Sequence, residues 1–211
     1  MKKIVLLCLL IVSAVAMHGQ DAKSLFINMP DTLMPLLTKV NREDFADFLE
    51  SKMKAQVKNR MDKMSEMKEL SKDYLFVQTT SQSSFQMKLL QLNDTAKVIC
   101  TINTVCGPVC DSSIKFYTTG WKELPSKEYL ELPSVEQFFL APDSAQMEAF
   151  NNARASLDIY FLKADLSKEG TNLTFTYTAS ENMAEGDAEV LKPFLKKELV
   201  YTWQNGRFAL K

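Results

Sequence analysis

The sequence predicts an α+β protein in which antiparallel meander sheets carry helices packed on one face. From residue 41, apolar residues recur at three- and four-residue spacing, as in an amphipathic helix, and methionines continue the pattern at looser spacing, which predicts helix to about residue 72. From residue 73 onward, apolar and polar residues alternate with a period of two, which is typical of strands with one buried face. The order of helix and then strands recurs later. We therefore predict two tandem helix-plus-strands units, over residues 20–130 and 131–211.

The composition is that of an ordinary globular protein, with 46% hydrophobic and 24% charged residues. The 25 basic and 26 acidic residues nearly cancel, so the chain has no electrostatic footprint for nucleic acid. We expect a folded protein that binds no nucleic acid.

The first helix is predicted to begin at Asn41, a capping residue with Asp44 three positions later, where a capping box has its second member. We expect it to continue to about Lys72. Its apolar positions share one face: Phe45, Phe48, Leu49, Met53, Met61, Met64 and Met67. Methionines adapt to varied partners, so Met61 and Met64 are also a candidate interaction surface; packing in the core is the alternative.

The strands of the first half show clear alternation. One strand places Phe85, Met87 and Leu89 on one face, with Gln86 and Lys88 on the other. After a turn at Asn93-Asp94, a second strand directs Val98, Cys100 and Ile102 to one side, and a third resumes at Ile114 and Phe116. These segments predict a meander with one buried face.

The second half repeats the pattern. A helix is expected from about Asp143 to Ala155, with Met147 and Phe150 facing inward. Strands are expected around Leu157, Ile159 and Phe161, then Leu173, Phe175 and Tyr177, then Leu199, Tyr201 and Trp203. Asn205-Gly206 is a strong signal for a two-residue hairpin turn. Two explanations of the repeated order stay open: a tandem duplication, or an order that α+β meanders share whatever their ancestry.

The amino terminus has the pattern of a secretory signal peptide over residues 1–19. A positive start precedes the apolar run Ile4–Val15, and cleavage is expected after Ala16 or after Gly19. The run of about twelve residues is too short to span a bilayer, and no later segment is long and apolar enough. We therefore expect an exported protein, periplasmic or secreted, with no transmembrane segment after processing.

Removal of the signal restricts the chemistry that remains. The single histidine, His18, lies in the cleavage region, and the later cut removes it. A chain without histidine has neither a Ser-His-Asp nor a Cys-His nucleophile system and no histidine-ligated zinc. We predict no catalytic residue, no cofactor and no metal.

Cys106 and Cys110 flank Gly107-Pro108-Val109. The spacing differs from the Cys-Gly-Pro-Cys of thioredoxins by one residue, and the segment lies between strands rather than at a helix start, where a thiol pKa would fall. In an oxidising compartment a structural disulfide is favoured, with free thiols or a redox site as alternatives. Cys100 is interpreted as a small buried hydrophobe.

Trp121 and Trp203 close corresponding aromatic strands in the two halves. They could stack a ligand, and they join Met61 and Met64 as candidate interaction residues. Pairing of aromatic residues in the core is the default explanation.

The run from Val98 through Cys106-Gly107-Pro108-Val109-Cys110-Asp111-Ser112, continued by Phe116-Tyr117-Thr118-Thr119-Gly120-Trp121-Lys122-Glu123-Leu124-Pro125, is specific enough to carry a family resemblance. With the signal peptide and the capped helix, it resembles domain of unknown function 3256, a family of secreted proteins of Bacteroidales. The resemblance spans nearly the whole mature chain. It implies a periplasmic or secreted location, and no activity or catalytic residue.

The leading hypothesis is a non-enzymatic, exported module that binds an unidentified protein or small ligand in the bacterial envelope. One alternative is a thiol/disulfide-dependent redox protein, or another enzyme, that uses Cys106 and Cys110. A second is an envelope chaperone or assembly factor that contacts its partner through the Met-rich segment.

Overall fold

The computed structural model describes residues 21–157, 160–179 and 184–211. These residues form two antiparallel sheets and five α-helices, which confirms the predicted α+β class. The helices are α1 Ala22–Ile27, α2 Lys39–Glu50, α3 Ser126–Tyr129, α4 Met147–Ala155 and α5 Glu185–Leu191. The strands are β1 Gln56–Lys58, β2 Met64–Leu70, β3 Tyr74–Gln78, β4 Ser83–Gln91, β5 Lys97–Cys106, β6 Cys110–Thr118, β7 Glu123–Leu124, β8 Leu162–Leu166, β9 Asn172–Tyr177, β10 Leu199–Gln204 and β11 Arg207–Leu210.

Strands β1 to β7 form a seven-stranded meander in chain order, and the other four form a second sheet in the order β11-β10-β9-β8. One face of the large sheet packs against α1 and α2, where Phe26, Phe45 and Phe85 join one core. The opposite face packs against the second sheet, where Phe116 and Phe175 join another. The large sheet is thus the middle layer of the molecule.

This layering corrects the prediction of a meander with one buried face. Phe85, Met87 and Leu89 do share a face, but Gln86 and Lys88 on the other face are also buried, because the second sheet covers them. Gln86 donates to Asp165 at 2.9 Å and accepts from the backbone N–H of Leu166 at 2.8 Å. These bonds satisfy a buried amide, as burial of a polar group requires.

The first helix is shorter than predicted. Its capping residue is Thr38, and Asn41 is the third helical residue and completes the capping box. The helix ends at Glu50, and Lys52 then takes the left-handed conformation at φ 56°. Met61, Met64 and Met67 lie in the β1–β2 hairpin instead of on a helix.

The reason for the error lies in Asn59. Its side-chain oxygen accepts from the backbone N–H groups of Met61 (2.9 Å) and Lys63 (3.2 Å), and so stabilises a turn inside the proposed helix. The three-residue methionine spacing did not require a helix. Met61 lies in the turn and is exposed, and only Met67 points into the core.

The second half shows three differences from the prediction. Helix α4 begins at Met147, which is exposed, although Phe150 is half-buried and packs edge-on against Phe139. Strand β8 begins at Leu162, so the proposed strand around Leu157 and Phe161 is placed too early; Ile159 lies outside the described residues. Helix α5 lies between β9 and β10, in a segment for which no element was predicted.

The remaining strands agree with the alternation. Leu173, Phe175 and Tyr177 are buried on β9, and Leu199 and Tyr201 on β10. Asn205 and Gly206 form the two-residue turn between β10 and β11, both at positive φ (50° and 80°), as a type I′ hairpin requires.

The two predicted units do not pack as separate cores. Residues 56–124 form the first sheet and residues 162–210 the second, but apolar side chains of both make the core between them. The division at residue 130 and the duplication stay predictions. The predicted signal peptide, with His18, lies outside the described residues; within them, no helix is long and apolar enough to cross a membrane.

Candidate functional site

Two adjoining cavities lie where the two sheets meet, beside the chain that follows α3. Their volumes are about 690 and 590 Å³, and Glu131, Leu132 and Arg207 line both of them. The first is completed by Ser112, Ser113, Ile114, Ser126, Lys127 and Leu130, and the second by Ser134, Gln137, Tyr201, Phe208, Ala209 and Leu210. Because the cavities share residues, they form one elongated depression, which we call the junction groove.

Aromatic packing holds the walls of the junction groove in place. Tyr129, at the end of α3, stacks on Phe116 of β6 at 5.1 Å and on Trp203 of β10 at 6.2 Å between ring centroids. Leu130 is buried directly after it. The chain that leaves α3 is therefore fixed against both sheets. A capping box between Ser134 and Gln137 then orders the far end of this wall.

The charged side chains of the junction groove have no ion-pair partner among the described residues. Lys127, Glu131 and Arg207 are exposed, and none of them forms an ion pair with another residue of the described ranges. Burial raises the pKa of the Tyr201 phenol, and the negative charge of Glu131 raises it further. Tyr201 therefore stays protonated at neutral pH. The two cations offer binding to a carboxylate, and the phenol stays an uncharged hydrogen-bonding group.

The mouth of the groove is aliphatic. Leu132 is 56% exposed and Leu210 is 46% exposed, and both line the groove. Exposed leucines beside free charges provide both apolar and polar contacts to a ligand.

Strand β11 lines the groove as the outer strand of its sheet. Phe208 and Leu210 lie opposite Trp203 and Tyr201. Lys211 donates its backbone N–H to the Val200 carbonyl at 2.9 Å, so Lys211 and Val200 are a hydrogen-bonded pair of this ladder. Because hydrogen-bonded and non-bonded pairs alternate, the N–H and C=O groups of Phe208 and Leu210 point away from β10.

The predicted cysteine pair lies at the tip of the β5–β6 hairpin. Cys106 and Cys110 are opposite each other, with Cα atoms 4.0 Å apart and sulfur atoms at disulfide-bonding distance. The backbone carbonyl of Cys110 also accepts from Thr178, so the hairpin tip is tied to the end of β9. Cys100 is buried in the core between the sheets, and burial raises the pKa of its thiol well above the usual range.

The other predicted site residues are not brought together. Met61 and Met64 are exposed at the β1–β2 hairpin. Trp121 packs on the helix side of the large sheet and donates its indole N–H to the Leu25 carbonyl (3.2 Å), whereas Trp203 packs between the sheets and donates to the Gln91 carbonyl (2.7 Å). The two indoles therefore do not form one stacking platform.

Sequence reasoning missed the junction groove. Two of its charged residues, Lys127 and Glu131, are four residues apart, but Arg207 follows Glu131 by more than 70 residues. The only local signal is Asn205-Gly206, which places Arg207 at the first position after a hairpin turn. Within the described ranges, no group of three or more His, Cys, Asp or Glu side chains is arranged to hold a metal ion.

Comparison with known proteins gives relatives without an assigned activity. The family model described as "Protein of unknown function (DUF3256)" matches residues 14–208. No curated protein matches the chain. The solved structure of a domain of an uncharacterized protein from Porphyromonas gingivalis W83 is similar: it has 30% sequence identity and a TM-score of 0.79, and the alignment covers 90% of this chain and 96% of that one.

Proposed function

Because the chain belongs to the family of proteins of unknown function DUF3256, whose description names no activity, we propose a function from the junction groove: an exported, non-catalytic module that binds its ligand there. The observation that carries the proposal is the elongated depression between the two sheets, lined by charges without an ion-pair partner among the described residues and by exposed leucines. Export is proposed from the signal pattern of residues 1–19.

The construction of the groove supports binding. Its wall is attached to both sheets through Tyr129, so the ligand would meet a surface that is already ordered. A preordered site loses less conformational entropy on binding than a mobile one does. Lys127 and Arg207 can direct the ligand by charge, and Leu132 and Leu210 can bury apolar surface.

Photo-cross-linking in the living bacterium tests the proposal. Leu132 is replaced by benzoylphenylalanine, and the matched control carries the same replacement at Leu140, which is similarly exposed at 53% but does not line the groove. We expect a discrete adduct from position 132 after irradiation and none from position 140. Equal labelling at both positions, or no adduct at position 132, would contradict the proposal.

A further inference from the structure

We infer that the junction groove takes an extended polypeptide segment, which adds to β11 as a further strand of the second sheet and places a carboxylate near Arg207 and Lys127. The inference rests on the proposed function, since it names the ligand class of the same groove. It follows from the unpaired backbone of Leu210 on β11, from its contrast with the opposite edge, and from the charges beside it.

The outer edge of β11 is open to solvent at Leu210, which is 46% exposed. Its N–H and C=O groups point away from β10, and no residue in the described part of the chain hydrogen-bonds to them, whereas Phe208, whose groups point the same way, is buried. Leu210 offers one donor and one acceptor, which is the pair of groups that an added strand recognises. This pairing is independent of the side chains of the incoming segment.

The opposite edge of the same sheet is closed. The N–H groups of Leu162, Ala164 and Leu166 on β8 donate to side chains of the large sheet. Their acceptors are Asp111 at 3.2 Å, Ser112 at 2.9 Å and Gln86 at 2.8 Å. Proteins commonly block sheet edges against unwanted pairing. The outward N–H groups of β8 are hydrogen-bonded, whereas Leu210 at the opposite edge is not, so β11 is the edge that can accept a partner strand.

The groove supplies contacts for the side chains of an added strand. Alternate residues of a strand point to opposite faces, so a segment on β11 would direct every second side chain toward the wall at Leu132 and Gln137. Arg207 lines both cavities and Lys127 lines the larger one; neither forms an ion pair with a described residue, and together they outnumber Glu131, the one carboxylate of the lining. Charge complementarity therefore favours a segment with an aspartate, a glutamate or a free carboxyl terminus.

A phage-displayed library of random dodecapeptides is the probe, selected on the purified protein. The groove variant is Leu210→Pro, which removes an N–H that points away from β10 and so leaves the β10–β11 ladder intact; Leu210→Val keeps that N–H and is the control. We expect selected peptides to contain a carboxylate beside an apolar residue. Their dissociation constants should rise about tenfold or more with Leu210→Pro and less than about threefold with Leu210→Val.

A second measurement uses the unaltered protein, so it does not depend on the folding of a variant. The best peptide is synthesised in two forms, N-methylated at odd or at even positions, which removes the amide donors from one edge or the other. One form should lose binding and the other should keep it, because only one edge faces β11. Equal binding of both forms, or no enrichment of any peptide, would overturn strand addition.

The outcomes separate this inference from the function on which it rests. An adduct at position 132 together with equal binding of the two methylated forms would keep the binding module and remove strand addition. No adduct at position 132 would remove the binding module itself. If ultracentrifugation shows a dimer that Leu210→Pro dissociates, the edge pairs with a second copy, and the inference is also wrong.

Discussion

Arg42 is 1% exposed and lies three residues before Phe45, on the buried side of α2. Its guanidinium donates to the Leu37 carbonyl at 2.8 Å, to the Met29 carbonyl, and to Asp31 at 3.0 Å. These acceptors lie in the connection between α1 and α2, so one side chain fixes a loop that has little regular structure. Periodicity could not reveal this role, because it depends on which carbonyls fold back over the helix.

We predict that Arg42→Met lowers the free energy of unfolding by about 2–4 kcal/mol. The replacement is of similar length, but it leaves buried carbonyls without donors. Arg60→Gln is the matched control: Arg60 contacts the same carboxylate at 3.1 Å from an exposed position, so its loss should cost less than about 1 kcal/mol. Urea denaturation measures both values, and equal effects would contradict the assignment.

The cysteines illustrate what residue types alone can predict. Spacing and compartment favoured a disulfide at Cys106 and Cys110, and strand alternation placed Cys100 in the core, where it lies. Strand alternation was sufficient for Cys100, because it shows which face of the sheet the residue occupies and that face is buried.

Thiol titration tests both assignments and the redox alternative. We expect the native protein to show no reactive thiol without reductant, since burial raises the pKa of Cys100 and keeps its thiol protonated and inaccessible. Over residues 21–211, denaturation should expose one thiol without reductant and three with it. A rapidly reacting thiol at Cys106 or Cys110 in the native protein would favour the redox alternative instead.

At the scale of elements, the sequence predicts alternating strands better than it predicts helix ends. The strands β4, β5 and β9 were correctly oriented, because a period of two leaves few alternatives for their inner face. The first helix was extended by some twenty residues, because methionines at three-residue spacing continued its pattern beyond Glu50. The hydrogen bonds of Asn59 stabilise a turn there, so the chain turns although the apolar spacing favoured a helix.

The β10–β11 hairpin depends on its turn. We predict that Gly206→Ala costs about 1–2 kcal/mol, because φ is 80° there and an added Cβ would lie 3.0 Å from the Leu92 side chain. Gly186→Ala, in α5 with no atom near the added Cβ, should be neutral or stabilise by up to about 0.5 kcal/mol. Chemical denaturation compares the two, and the prediction is wrong if the two substitutions have the same effect.

At the scale of the molecule, the sequence predicts the class and not the assembly of its layers. No local feature of the sequence predicts that the second sheet covers the large one, and the polar residues Gln86 and Lys88 favoured a solvent-exposed face there. Lys88 is accommodated because it pairs with Asp73 at 3.0 Å and donates to the Lys168 carbonyl at 2.9 Å. The junction groove exists only through this assembly, since its walls come from β6, β11 and the chain after α3.

The layered arrangement predicts cooperative unfolding, even though the chain was expected to form two tandem units. Strand β6 contributes Phe116 to the core between the sheets and its neighbour Tyr117 to the core on the helix side, so loss of either core disturbs a strand on which the other core depends. We predict one calorimetric transition, with a calorimetric enthalpy equal to the van't Hoff enthalpy.

Phe85→Leu and Phe175→Leu, one in each core, distinguish this behaviour from independent units. Each should destabilise the protein by about 1–2 kcal/mol. Both should move the same transition downward, by about 2–4 °C for each kcal/mol in a chain of this size. Phe175 packs edge-on against Tyr201 at 5.3 Å, so its substitution reports on the second sheet specifically. Two transitions, each shifted by only one of the substitutions, would show that residues 20–130 and 131–211 unfold separately and that the shared core does not couple them.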